Sequence, residues 1–209
     1  MIKNILFDLG GVIVDIDMEK LTRGFYSLGM SKWFLWLRKR TIKKYFSRYM
    51  CGTISTPDFV AWMKSHCGKK TTDEEVKDMF NSVLVALPDH VLGMIDQLHE
   101  QHPTYLLSNI NDLHYNAVLD RWFGGERANI TQHFDKVFFS HEMGLEKPDP
   151  EIFRQVVLQS GIRPEETIFI DDTQENLDSA KRLGFQTLLA DGERKWEKTL
   201  HDLLSQQTN

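Results

Sequence analysis

The chain is poor in cysteine and proline, has no long apolar run and carries no excess of positive charge. Its two cysteines, Cys51 and Cys67, form no CxxC pair and stand near no histidine cluster of ligand spacing. Structural zinc and a disulfide scaffold are therefore poor readings, and two buried thiols in a reducing compartment are expected. The apolar stretch from Ile2 to Ile16 is broken by Lys3, Asp8 and Asp15, whereas an export signal needs an unbroken stretch and a spanning helix about 20 apolar residues. A formal net charge of -5 gives no overall attraction to nucleic acid or to an anionic membrane. The expectation is a soluble, cytoplasmic protein with a small-molecule partner.

What is present suits a globular chain. At 209 residues, with 41% hydrophobic and 26% charged, it is long enough for one large domain or one domain with an insertion. Five short apolar runs end in polar residues: Ile2 to Phe7 before Asp8, Tyr105 to Leu107 before Ser108, Val137 to Phe139 before Ser140, Thr167 to Ile170 before Asp171, and Gln186 to Leu189 before Asp191. Such runs suit strands covered on both faces, as in a parallel sheet. Helical patterns alternate with them: Asp89 to Gln101 carries Val91, Leu92, Ile95 and Leu98, and Pro150 to Gln159 and Glu175 to Leu183 behave alike. This alternation predicts an α/β fold, a doubly wound Rossmann-like parallel sheet with its chemistry at the carboxyl ends of the strands.

Residues 17–87 break the rhythm. They hold helical patterns over Met18 to Leu28, Ser31 to Met50, Thr56 to His66 and Thr72 to Val85, and no convincing strand. The expectation is a four-helix cap over 17–87 inserted into a core of 1–16 plus 88–209.

The polar strand ends form a set: Asp8 before Gly10-Gly11-Val12, Ser108-Asn109, Lys147 in Glu146-Lys147-Pro148-Asp149-Pro150, and Asp171-Asp172. In this order they resemble the four motifs of the haloacid dehalogenase superfamily, covering the chain apart from the cap. Phe7-Asp8-Leu9-Gly10 and Val12 to Asp17 are similar to the members with a small helical cap after the first motif, including the bacterial α-D-glucose-1-phosphate phosphatase type. The resemblance implies a Mg2+-dependent hydrolase that takes phosphate from a small phosphorylated metabolite, sugar phosphates among the candidates. Asp8 is then the nucleophile, forming an aspartyl-phosphate. Asp8, Asp172 and the Gly10 carbonyl bind Mg2+, with Asp171 assisting and the choice within the Asp171-Asp172 pair open. Ser108, Asn109 and Lys147 cradle the phosphate, and Asn176 or Asp178 orients the fourth motif.

One position departs from that pattern. Phosphatases of the superfamily usually carry a second aspartate two residues after the nucleophile as general acid and base, and here that place is Gly10. Loss of such a group costs about 100- to 10,000-fold in rate. One reading is a phosphatase whose leaving group needs little protonation, an anomeric or acyl phosphate, with Asp15, Asp17 or water partly substituting. The alternative is a catalytically weak phosphate-binding or regulatory protein. Haloacid dehalogenation ranks below both, because Asp171-Asp172 argues for a metal.

Residues 31–48 carry Lys32, Arg38, Lys39, Arg40, Lys43, Lys44 and Arg48 with no acidic residue, interleaved with Trp33, Phe34, Trp36, Tyr45 and Phe46. The favoured reading is a helix whose aromatics pack inward while its charges face water. Nucleic-acid or anionic-membrane binding is the alternative, and steering of an anionic substrate lies between them. His102, His114, His133 and His141 lack ligand spacing and are read as surface or hydrogen-bonded groups.

Overall fold

The computed structural model describes residues 1–68 and 70–207, and of Phe34 only the backbone. In chain order the elements are β1 (Asn4–Phe7), β2 (Asp15–Ile16), α1 (Met18–Ser27), α2 (Lys32–Leu37), α3 (Lys39–Met50), α4 (Thr56–Lys64), α5 (Asp73–Asn81), β3 (Leu84–Ala86), α6 (Asp89–His99), β4 (Thr104–Ser108), α7 (Asp112–Trp122), α8 (Arg127–Thr131), β5 (Lys136–Phe139), α9 (Ser140–Met143), α10 (Pro150–Ser160), β6 (Thr167–Asp171), α11 (Gln174–Arg182), β7 (Gln186–Leu189) and α12 (Lys195–Ser205).

The five expected strands form one parallel sheet in the order β5-β4-β1-β6-β7. Side chains alternate across it, as the period of two demands. Ile5, Phe7, Leu106, Phe139, Ile168 and Ile170 join one apolar cluster, while Leu6, Tyr105, Leu107, Phe138 and Phe169 join another on the opposite face. Helices α6, α7 and α12 cover the first face through Val91, Ile95, Val118 and Trp196. Helices α10 and α11 cover the second through Ile152, Phe153 and Leu177. The fold is the doubly wound α/β arrangement expected. Successive crossovers leave β1 toward β4 and β6 toward β7, so the chain diverges between β1 and β6, where such sheets open a crevice at their carboxyl ends.

The insertion differs from expectation in three ways. Among the described residues five helices replace four, because the helix expected over 31–50 divides at Arg38, whose φ of -101° and ψ of 10° leave the helical region. The last helix stops at Asn81 instead of Val85, and Leu84–Ala86 forms a strand antiparallel to Asp15–Ile16. These two strands are the stem from which α1 to α5 project. The helices also own a core, in which Tyr49, Phe59, Val60, Met63, Val76 and Phe80 are buried.

Local chemistry sets the helix starts. Asp17 accepts hydrogen bonds from Glu19 N and Lys20 N to cap α1, and Thr72 and Glu75 form a capping box on α5. Cys51 and Cys67 are free thiols, as expected, and half-buried where buried thiols were expected. Among the described residues no helix is long and apolar enough to cross a membrane.

Candidate active site

Asp8 follows β1 at the centre of the sheet, where its main-chain N–H donates to Ile170 O at 2.9 Å and its Oδ1 accepts from Leu9 N at 2.7 Å. Asp171 ends the neighbouring strand β6, and parallel pairing of Phe7 with Ile170 places the two carboxylates side by side. Lys147 enters from the loop before α10. Its Nζ stands 2.9 Å from Asp8 Oδ1, 2.7 Å from Asp171 Oδ2 and 2.9 Å from Leu107 O, which occupies all three ammonium protons.

That loop is held by Asn109, whose Nδ2 donates to Lys147 O at 2.8 Å while Lys147 N donates to its Oδ1 at 2.8 Å. The Asn109 amide therefore positions Lys147, with both of its ends engaged by the Lys147 main chain. Ser108 is buried at the end of β4, and no hydrogen bond to its Oγ is found among the described residues. Of the two residues expected to orient the fourth motif, Asn176 reaches Asp171, donating to Oδ1 at 2.9 Å and Oδ2 at 3.1 Å. Asp178 instead accepts from Gln174 on the exposed side of α11.

Asp8, Asp171 and Asp172 offer oxygens that all lie within 4.8 Å of one another. Three carboxylates face one ammonium, so the cluster retains excess negative charge. Burial first, then the charges of Asp171 and Asp172, push the Asp8 carboxyl up to about 8, against the opposing pull of Lys147. Burial and Asp171 likewise raise Asp172. Burial alone would lower Lys147, but the Asp8 and Asp171 charges outweigh it and hold the ammonium above its ordinary range. This is the donor set of a hard divalent cation. Asp171 is the least available ligand, since Lys147, Asn176 and Thr173 N already occupy both its oxygens. Asp172 takes one bond, from Thr173 Oγ1 on Oδ1 at 3.1 Å, and its Oδ2 points at Gly11. A Cβ on Gly11 would lie 2.4 Å from that oxygen, and the residue has φ of +77°, so glycine is required twice over.

The carboxylates proposed to substitute for the missing acid are occupied. Asp15 pairs with Arg194 at 2.5 Å, and Asp17 caps α1. Arg194 also donates to Val12 O and Ile13 O, so it braces the turn that follows Asp8. Nothing in the local sequence marks that role.

Above the strand ends lies a cavity of about 210 Å³, lined by Leu9, Gly10, Ser108 and Asn109 from the sheet side and by Met18, Leu21, Phe46, Met50 and Phe80 from the helices. Helix α3 is fastened over it. Ser140 Oγ donates to Met50 O at 2.7 Å, Ser47 Oγ donates to Glu146 at 2.5 Å, and a Cβ on Gly52 would lie 2.1 Å from His141 O. His114 of α7 donates from Nε2 to Phe80 O at 3.0 Å while its Nδ1 accepts from Asn111 Nδ2 at 3.1 Å. Burial holds its ring down to about 4, as a neutral bridge between α7 and α5. The basic aromatic stretch is only partly as expected. Tyr45 and Phe46 pack inward, Trp33 and Trp36 are 68% and 69% exposed, all seven basic residues face solvent, and the Phe34 side chain lies outside the described residues.

Comparison with known proteins agrees with this geometry. Residues 2–184 match the family model for haloacid dehalogenase-like hydrolases. D-ribitol-5-phosphate phosphatase of Bacteroides thetaiotaomicron is 34% identical over 209 residues, covering 98% of this chain and 100% of the relative. A haloacid dehalogenase family enzyme of the same organism, solved with magnesium and inorganic phosphate, has a TM-score of 0.77 at 33% identity, covering 90% and 94% of the two chains. A HAD-like hydrolase of Porphyromonas gingivalis has a TM-score of 0.81 at 32% identity over 98% of each. The chain belongs to the haloacid dehalogenase-like hydrolase family.

Proposed function

For this haloacid dehalogenase-like hydrolase we propose phosphate monoester hydrolysis on a small molecule, with Asp8 as nucleophile. The observation that carries the reading is Lys147 Nζ between Asp8 and Asp171, at strand ends whose neighbouring residues Leu9, Gly10, Ser108 and Asn109 line a cavity large enough for a small organic group. The carboxylate of Asp8 attacks phosphorus, the ester P–O bond breaks, and the leaving oxygen departs with the electron pair and takes a proton from water. A second water then attacks phosphorus, breaks its bond to Asp8, loses its proton to solvent and releases inorganic phosphate. Lys147 favours the anionic form of Asp8 against the burial that opposes it, and offsets phosphoryl charge. Ser108 Oγ and the Asn109 main-chain N–H serve the phosphate oxygens.

Asp8 and Asp172, with the Gly10 carbonyl, would hold Mg2+, and Asp171 would orient Lys147 instead of binding directly. The ion, when bound, neutralises the carboxylates and polarises the phosphoryl oxygens. The magnesium complex of the related Bacteroides enzyme supports this assignment. The helices of the insertion, 17–87, act as a cap over the core formed by 1–16 and 88–209. With Gly10 lacking a carboxylate and Asp15 and Asp17 engaged elsewhere, the leaving group is one that needs little protonation.

Two readings compete on particular observations. The similarity to D-ribitol-5-phosphate phosphatase favours a polyol or sugar phosphate. The bare Gly10 favours a slow phosphate-binding protein. The discriminating assay is phosphate release from acetyl phosphate and phenyl phosphate, with Mg2+ and with EDTA. Turnover that EDTA and Asp8→Asn both abolish supports the hydrolase, and an absence of turnover on every ester supports the binding protein.

A further inference from the structure

The cavity beside the phosphate site has an interior unlike one built for a polyhydroxylated substrate. Its helical wall is Met18, Leu21, Phe46, Met50 and Phe80, and Ile16 and Leu84 of the stem close one side. Four polar side chains touch it, and three of them are already held by bonds within the protein. Both ends of the Asn109 amide bind the Lys147 main chain. Asn111 accepts from His114 N through Oδ1 at 2.9 Å, and its Nδ2 faces Met50 Sδ at 3.3 Å and His114 Nδ1 at 3.1 Å. The other ring nitrogen of His114 is bonded to Phe80 O. Ser108 remains, and it belongs to the phosphate end.

We propose that the group esterified to the phosphate is compact and apolar, and that hydroxyl-rich polyol and sugar phosphates are discriminated against. The inference rests on the hydrolase reading for its phosphate end alone. A hydroxyl directed at the helical wall leaves water and meets Met18, Leu21, Phe46, Met50 and Phe80, whose side chains offer no N–H or O–H donor and no oxygen acceptor, a penalty that an alkyl or aryl group escapes. Size agrees with this chemistry. A dry apolar cavity of about 150 Å³ accepts benzene, so one of about 210 Å³ takes a single ring or a chain of comparable bulk. The bare Gly10 at the cavity wall points the same way for aryl esters, whose oxygen departs without a proton donor more readily than an alkoxide.

A matched pair tests this with the small bias of intrinsic reactivity running against the proposal, since the neighbouring hydroxyl makes ribitol the better leaving alcohol. n-Pentyl phosphate and D-ribitol 5-phosphate share a five-carbon primary alcohol and differ only in hydroxyls. The expected result is a kcat/KM higher for the pentyl ester by roughly 30-fold or more, the effect of two unpartnered hydroxyls. A ribitol ester turned over as well or better overturns the proposal. Acetyl phosphate, which has almost nothing to place in the cavity, reports hydrolase competence separately. If it too resists turnover, the hydrolase reading fails; in that case, and equally where acetyl phosphate is hydrolysed but neither alkyl ester is, the proposal is decided by calorimetry of the Asp8→Asn protein with Mg2+. Tighter binding of the pentyl ester with a negative heat-capacity change supports it, and equal or tighter binding of the ribitol ester refutes it.

Discussion

Lys147 and Asp8 form a buried ion pair 2.9 Å apart, with the lysine side chain wholly excluded from solvent. Asp171 shares the same ammonium at 2.7 Å. Removing one member of such a group costs more than the pair contributes, because the remaining charges keep their desolvation penalty and lose their partner. Lys147→Met is expected to abolish turnover and to lower stability by about 3–5 kcal/mol in urea denaturation. A stability change within 0.5 kcal/mol would contradict the buried arrangement.

Gly11 should tolerate no side chain. Gly11→Ala places a methyl against Asp172 Oδ2 in a left-handed backbone conformation. We expect Mg2+ affinity to fall by about 10-fold or more, read by the Mg2+ dependence of turnover. An unchanged Mg2+ requirement would show that Asp172 is not a ligand.

Gly10 should accept an aspartate. A Cβ there meets only Ile16, at 3.6 Å and 3.8 Å, which is ordinary contact. Gly10→Asp is expected to raise turnover of alkyl phosphates toward the 100- to 10,000-fold of a positioned acid, and to change acetyl phosphate hydrolysis far less. Equal effects on both substrates would mean that leaving-group protonation is not what the wild-type chain lacks.

His114 sets a pH dependence of stability. Burial depresses its folded-state value from 6.5 to about 4, so the unfolded chain binds the extra proton first. The contribution is fully present above about pH 6.5 and is lost as pH falls toward about 4. Denaturation midpoints of wild type and His114→Gln should therefore converge between those limits. Parallel pH profiles would contradict the neutral bridge to Phe80.

The sheet and its polar ends were legible because strands buried on both faces must be apolar throughout, so Asp8, Ser108 and Asp171 stand out where each run stops. The helix break at Arg38 left no mark, since residues 32–50 contain neither proline nor glycine. Leu84–Ala86 continued the apolar pattern of the helix before it, and only pairing with Asp15–Ile16 makes it a strand. Arg194 and His114 act through partners distant in sequence, Asp15 and Phe80, which local pattern cannot show. The engagement of the Asn109 amide was hidden for the same reason. Asn176 was half legible, because its place on α11 relative to Asp171 follows from helix geometry but its choice over Asp178 depends on which face is buried.

The most direct test is acid-quenched single turnover with radiolabelled acetyl phosphate and Mg2+, followed by peptide mapping. Covalent phosphate should appear and decay on the peptide containing Asp8, and should be absent from Asp8→Asn. Phosphate release at an unchanged rate from Asp8→Asn, with no labelled protein at any time, would show that this carboxylate never bonds to phosphorus.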